Sequence, residues 1–323
     1  MKSEDKRMKK TYRSVISVFS LCLIFACLFG CGKSGSYLDK LDESGFFANT
    51  TAEPISQTRV ADMVRAHFAD ENGKTKKAVI IGFDGARAQG LYTVLCPSLT
   101  SDGDYARSPY SGFNKIFDMG GKLYVAEAGG IKGDKTKQQD TSTAPGWASI
   151  LTGKLADEHG VYDNDCVLSE STPTVLLELA GQGKKVCFNY RWSTHYELTY
   201  KNEVAKNLDN YRWTKCETDE EIQKAMLGAV DSDTDLIFGI YENTDCTGHG
   251  ISFNVENPAY AKAFVDIDRF AYQLIEHIES RETYKDEDWL IIAVTDHGGK
   301  GTGHGGQSVY ERTIFLASNK EVV

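Results

Sequence analysis

Apolar positions in this chain fall into two patterns. Lys77-Ala-Val-Ile-Ile-Gly-Phe83 and Leu290-Ile-Ile-Ala-Val294 are nearly unbroken apolar runs, as in strands covered on both faces. Shorter runs predict further strands at Lys185–Tyr190, Asp235–Tyr241 and Thr313–Ser318. Three- and four-residue spacing marks the helices. The strongest is Pro258–Ser280, where Phe264, Ile267, Phe270, Leu274, Ile275 and Ile278 form one stripe. Helical character also appears at Val60–Asp70, Arg87–Cys96, Tyr110–Met119, Thr174–Gly181 and Asp219–Val230. Asp140-Thr-Ser-Thr143 ahead of Pro145 reads as a helix start, and Gly153 as its stop. Thr143 then sits at the positive end of a helix dipole. The stretch Gly129–Gln139, with three lysines, predicts an exposed loop. Strand and helix signals alternate from Lys77 onward with no repeat or internal linker. The expected class is therefore α/β, with a central, mainly parallel sheet and helices on both faces.

The first thirty residues change the picture. Lys2, Lys6, Arg7, Lys9, Lys10 and Arg13, against Glu4 and Asp5, precede an apolar run from Val15 to Gly30 that closes at Leu28-Phe29-Gly30-Cys31. This resembles a bacterial lipoprotein signal, with Cys31 carrying the lipid, and sixteen apolar residues are short for a spanning helix. The expected organisation is a signal peptide at 1–30, a tether at 31–50 and one folded domain at 51–323, held outside the cytoplasm on a bacterial membrane. Of eight cysteines, Cys96, Cys166, Cys187, Cys216 and Cys246 lie beyond Cys31. That odd number leaves at least one unpaired, and the compartment permits one or two disulfides.

The chain's formal charge is −10, and without the basic leader it becomes −14. So acidic a body excludes sequence-independent binding to nucleic-acid polymers, which requires clustered Lys and Arg. A phosphate-bearing substrate would need bound cations to attract it.

Four segments carry candidate chemistry. Asp84 follows the strand at Lys77–Phe83. Asp245 and His249 follow the strand at Asp235–Tyr241. Asp296 and His297 follow Leu290–Val294, and His304 returns after a loop containing Gly298, Gly299, Gly301 and Gly303. Thr143 is the fourth, at its helix start. Ligands in open α/β sheets gather at the carboxyl ends of strands, so groups far apart in sequence can meet there. Carboxylates and imidazoles together suit zinc or a similar divalent ion. A pair of ions about 4 Å apart suits in-line displacement at phosphorus.

These segments resemble the alkaline phosphatase superfamily, nearest its type I phosphodiesterase/nucleotide pyrophosphatase branch. The resemblance rests on Asp84-Gly85-Ala86-Arg87, Thr143-Ala144-Pro145, Leu151-Thr152-Gly153 with His159-Gly160-Val161-Tyr162-Asp163-Asn164, Asp245-Cys-Thr-Gly-His249 and Thr295-Asp296-His297-Gly298. It spans roughly Lys77 to Val323. It implies two divalent metal ions, zinc by preference, one held by Asp245, His249 and His304 and the other by Asp84, Asp296, His297 and the Thr143 oxygen. It further implies that Thr143 attacks phosphorus to give a covalent phospho-threonine, with Asn164 and the Thr143 N–H donating to phosphoryl oxygens. The expected activity is hydrolysis of a small phosphate ester, monoester or diester.

Departures bear on the substrate. Where nucleotide-hydrolysing relatives carry an aromatic after the nucleophile, this chain has Ala144, with Trp147 nearby. Arg87 and Arg191 are the candidates for clamping a monoester dianion. Competing readings are a sulfatase-like or phosphonate-ester hydrolase of the same superfamily, and a non-catalytic surface lipoprotein binding metal or glycan. A sulfatase needs Cys or Ser as the source of its formylglycine, which Thr143 cannot supply.

Overall fold

A computed structural model describes residues 47–48, 54–95 and 110–322. The expected signal peptide, Cys31, Cys96 and nearly all of the expected 31–50 tether lie outside them. Phe47, near the end of that tether, bridges to Leu123 and is buried. Among the described residues no helix is long and apolar enough to cross a membrane. Cys166, Cys187, Cys216 and Cys246 are all free thiols, so no disulfide forms among the described residues.

Strand β1 (Ile55–Ser56) and helix α1 (Arg59–Ala69) lead into β2 (Thr75–Phe83), whose apolar run is buried on both faces. Helix α2 (Gly112–Asp118) starts at Ser111, whose side chain accepts the Asn114 N–H, and is followed by β3 (Lys122–Glu127). Helix α3 (Thr143–Thr152) ends at Gly153, where a φ of +73° favours glycine. Helix α4 (Val175–Gly181), β4 (Val186–Tyr190), β5 (Tyr211–Lys215) and α5 (Asp219–Asp231) follow. Strand β6 (Leu236–Tyr241) runs into α6 (Asn243–Gly250), and the long α7 (Pro258–Glu279) has Pro258 in its first turn after an Asn257 cap. Strands β7 (Glu287–Thr295) and β8 (Thr313–Ser318) complete the sheet.

The eight strands lie in the order β1-β3-β8-β7-β2-β6-β4-β5, with β8 antiparallel to both neighbours and the remaining pairs parallel. Side chains alternate across the sheet, so β2 feeds two cores. Val79, Ile81 and Phe83 pack toward α2, α5 and α7. Ala78 and Ile80 pack toward α1, α3 and α4. On the first side Phe83, Phe113, Phe264 and Phe315 meet at centroid distances of 5.5 to 6.3 Å. Burying each such ring contributes roughly 1.5–3 kcal/mol, which anchors α7. Of its predicted stripe, five residues are fully buried and Phe270 partly so.

Register sets the height of each strand end. Phe83 pairs with Thr295 and with Tyr241, so Asp84, Asp296 and the start of the β6–α6 connection leave the sheet together. The predicted helix over Arg87–Cys96 is a 3₁₀ turn at Ala88–Gly90 followed by a short helix at Leu91–Leu95. Gly129–Gln139 is a loop as predicted, yet its last residue, Gln139, is buried beneath α3.

Candidate active site

All seven predicted ligand and nucleophile residues meet at the carboxyl edge of β2, β6 and β7. Asp84 and Asp296 leave adjacent strands, Asp245 and His249 sit one turn apart on α6, and a tight turn with paired Lys300 and Gly303 backbones, at a Gly301 φ of +62°, returns His304. Gly85 allows the close approach. Its φ is +62°, and a Cβ there would lie 2.5 Å from Asp245 Oδ1. Its N–H also donates to Asp296 Oδ1 at 3.1 Å.

The three histidines are oriented alike. His249 Nδ1 contacts Thr302 O at 2.9 Å, His297 Nδ1 contacts Gly298 O at 2.8 Å, and His304 Nδ1 contacts Thr141 O at 3.2 Å. A carbonyl can only accept, so each Nδ1 carries the proton and each Nε2 presents a lone pair. His249 Nε2 and His304 Nε2 face each other at 2.9 Å. Two lone pairs at that distance repel unless a proton or a metal cation lies between them, and a metal would spread the two nitrogens slightly.

The surrounding distances fit such an ion. A tetrahedral centre with bonds of about 2.0–2.1 Å has ligand atoms about 3.4 Å apart. His249 Nε2 is 3.4 Å from Asp245 Oδ2, and His304 Nε2 is 3.6 Å from Asp245 Oδ1. In the second set His297 Nε2 is 3.6 Å from Asp84 Oδ1 and 3.4 Å from Asp296 Oδ2. Thr143 Oγ1 is 3.4 Å from both Asp84 Oδ1 and His297 Nε2. Asp245, His297 and His304 also lie within one 4.8 Å group, as do Asp84, Asp296 and His297, so His297 stands between the two sets. Asp245 Oδ1 and Asp296 Oδ2 are buried without a hydrogen-bond partner, as expected of donors reserved for metal.

Electrostatics points the same way. Burial, reinforced by the neighbouring carboxylates, pushes Asp84 well above the ordinary carboxylate range. Burial does the same to Asp296 and raises Asp245 to about 6. Burial lowers His297, and lowers His304 to about 4, with nearby imidazoles adding to the shift. Among the described residues no lysine or arginine pairs with these carboxylates, whose ion-pair partners are the histidines. A divalent cation at each set would supply the missing charge.

Thr143 stands out from its two neighbours. Thr141 Oγ1 donates to Gly306 O, and Ser142 Oγ is buried without a partner, whereas Thr143 Oγ1 faces Asp84 and His297. Asn164 joins from the following loop, where Asn164 Oδ1 accepts the Ala144 N–H at 2.9 Å. Its amide nitrogen has no protein partner among the described residues.

Sequence reasoning noted Trp147 near the nucleophile but missed its bond to Asp84. It is fully buried, and its Nε1 donates to Asp84 Oδ2 at 3.1 Å. Its position one helical turn after Thr143 was the available signal. Buried beneath the site, it offers no face to a substrate, and the equally buried Ala144 offers none either. Both arginine candidates are engaged within the protein. Arg87 is buried, donates to Phe253 O and stacks on Tyr310. Arg191 Nη1 is held by Asp219 and Asn243. His195 lies fully buried among Phe188, Trp192 and Tyr200. His67 and His277 are remote: the first bonds backbone carbonyls of β2 and β7, the second pairs with Asp231 at the surface.

The family model for type I phosphodiesterase / nucleotide pyrophosphatase matches residues 78–313. A Saccharomyces cerevisiae ectonucleotide pyrophosphatase/phosphodiesterase 2 is 22% identical over 187 residues, covering 49% of this chain and 37% of its own length. Among solved structures, a 2-O GAG sulfatase superposes with a TM-score of 0.51 at 10% identity, over 76% of this chain and 64% of that one. Murine ectonucleotide pyrophosphatase / phosphodiesterase 5, in an inactive form with AMP, gives a TM-score of 0.47 at 18% identity, over 70% of this chain and 57% of that one. The sulfatase likeness shows the fold alone. With that family model matched over residues 78–313, well over half of the chain, this chain belongs to the type I phosphodiesterase / nucleotide pyrophosphatase family.

Proposed function

We propose that this protein hydrolyses small phosphoric esters through a covalent phospho-threonine at Thr143, with two divalent cations, zinc by ligand preference. Asp245, His249 and His304 would hold one cation, and Asp84, Asp296 and His297 the other, beside Thr143. The observation that carries the proposal is the convergence of three imidazole Nε2 atoms and three carboxylates at one sheet edge, with Thr143 Oγ1 3.4 Å from both Asp84 Oδ1 and His297 Nε2. Bound there, the cations would supply positive charge that acidifies the Thr143 hydroxyl and offsets charge on the phosphoryl oxygens.

The residues divide the remaining work. Thr143 Oγ forms a bond to phosphorus as the bond to the leaving alcohol breaks; the hydroxyl proton passes to solvent water, and the departing alkoxide takes one up from water. A water molecule then breaks the Thr143–phosphorus bond, returning a proton to Thr143 Oγ and releasing phosphate from a monoester or a phosphate monoester from a diester. Asn164, held by the Ala144 N–H, can turn its amide donors toward a phosphoryl oxygen. The Thr143 N–H, in the first turn of α3, has no acceptor within the helix and can serve likewise. With Ala144 and Trp147 buried, recognition would rest on the phosphoryl group more than on a stacked base.

Zinc-reconstituted protein should turn over at least one of a chromogenic phosphomonoester, phosphodiester and phosphonate faster than an arylsulfate. Thr143→Ala should lower kcat at least ~10³-fold while retaining metal. Equal turnover in that variant, or preferred arylsulfate hydrolysis, would overturn the proposal.

We also propose that the chain is held outside the cytoplasm by lipid on Cys31, supported by the basic and apolar leader. Mass spectrometry of the membrane fraction should find a lipid-modified Cys31, and Cys31→Ser should release the protein; a retained, unmodified Cys31 would refute this.

A further inference from the structure

Beneath the nucleophile helix runs a buried polar relay that the proposed chemistry does not use. His159 Nδ1 accepts the Val161 N–H at 3.0 Å, which leaves the ring proton on Nε2, 3.0 Å from Ser149 Oγ. The Ser149 hydroxyl also meets Gln139, accepting from Nε2 at 3.0 Å and donating to Oε1 at 3.2 Å. Gln139 Nε2 donates in addition to Pro145 O in the first turn of α3, at 2.7 Å. His159 and Ser149 are fully buried and Gln139 nearly so.

The relay joins three segments that all reach the site. Gln139 begins the approach to Thr143, and its own carbonyl accepts from Gln307, just beyond His304. Ser149 belongs to α3. Val161 opens the loop that carries Asn164, which returns to the same helix by accepting the Ala144 N–H. Other hydrogen bonds also hold that loop: the Asp140 N–H donates to Tyr162 O, Tyr162 Oη to Thr136 O, the Asp165 N–H and Cys166 Sγ to Asp163 Oδ1, and further along the Leu168 N–H to Thr199 O and the Ser169 N–H to His159 O; of these none ties Asn164 to α3. An apolar side chain of similar size at 159 would fill the space but leave the Val161 N–H and Ser149 without their partner, an imbalance that buried networks tolerate poorly. Burial lowers His159 to about 3, so the neutral ring persists across any working pH.

We propose that His159 is a positioning residue: through Val161 and Ser149 it fixes Asn164 against Thr143, so that the Asn164 amide meets the phosphoryl oxygen in the transition state. This rests on the reading of Thr143 and Asn164 given above, and that reading fails separately if Thr143→Ala is fully active.

A double-mutant cycle on the zinc-loaded protein with a chromogenic phosphodiester separates positioning from mere structural support. His159→Phe should lower kcat about tenfold with KM nearly unchanged, part of the loss typical for removing one such donor. In an Asn164→Ala background the same change should alter kcat less than about twofold, although melting temperature falls equally in both backgrounds. His159→Asn, whose Oδ1 can replace Nδ1 as acceptor for Val161, should recover part of the rate. Hydrogen exchange at the Ala144 amide, which needs no substrate, should quicken in His159→Phe. Should that variant not fold, Ser149→Ala carries the same cycle with one hydroxyl removed. Equal kcat losses with and without Asn164, or unchanged protection of the Ala144 amide, would overturn the proposal.

Discussion

Stripping divalent cations from the folded protein perturbs two donor sets at once, and the size of the effect follows from their composition. Each set joins carboxylates to imidazole lone pairs, with no lysine or arginine paired to those carboxylates among the described residues. An ion that binds only the native state stabilises it by about 2.7 kcal/mol at a concentration one hundred times its Kd. Two such sites give about 5.4 kcal/mol. Unfolding entropy near 2.1 cal/mol/K per residue, over roughly 250 ordered residues, amounts to about 0.5 kcal/mol/K. Chelation should therefore lower the melting temperature by about 10 °C, and adding zinc back should restore it in proportion to ion bound. His304→Ala removes a ligand from the Asp245 set, with Asp84, Asp296 and His297 intact, and should cut the zinc-dependent shift to about 5 °C. Differential scanning calorimetry with and without chelator, paired with titration calorimetry for stoichiometry, reads both numbers. A melting temperature that chelation leaves unchanged within about 1 °C, or a full shift retained by His304→Ala, would refute the reasoning.

Two further outcomes follow from single side chains. In metal-free protein, Trp147→Phe removes the one N–H donor to Asp84 Oδ2 among the described residues and leaves a void beside Phe238. The unsatisfied carboxylate costs roughly 1–3 kcal/mol and the void about 24 cal/mol per Å³, for about 2–4 kcal/mol in urea unfolding; a loss below about 0.5 kcal/mol would count against the contact. Asp268, fully buried on α7, accepts the Phe113 N–H at 3.1 Å, and burial raises it to about 7. Because its folded value lies above the unfolded one, its full contribution to stability holds below about pH 4 and is lost as pH rises through 7, by on the order of 4 kcal/mol. Asp268→Asn keeps the acceptor, so stability should vary less between pH 4 and 7; an unaltered slope would rule this account out.

The amino-acid order alone determined where the sheet would deliver its chemistry. An apolar run covered on both faces must stay in the core, so the Asp that ends it, Asp84 or Asp296, must emerge at the sheet edge. Thr143 was legible for an equally local reason, since Pro145 and the capping residues place it in the first turn of a helix. Short edge strands were not: β1 has two residues, and β5 alternates polar and apolar side chains without a run. Helix α6 was also hidden, because Asn243-Thr-Asp-Cys-Thr-Gly-His-Gly250 is poor in helix formers and is helical in its tertiary setting.

What packing decided was company. The β2–β7 register, set over nine residue pairs, brings Asp84 level with Asp296; a slip by one residue would turn every side chain to the other face. The three imidazoles face inward because carbonyls of Thr302, Gly298 and Thr141, two of them distant in sequence from the ring they hold, take the Nδ1 protons. Arg87, Arg191 and Trp147 were spoken for by Phe253, Asp219 and Asp84. A hydrogen bond forms with whichever partner folding brings within about 3 Å. Composition and spacing therefore name the donors, and only the packed chain assigns their acceptors.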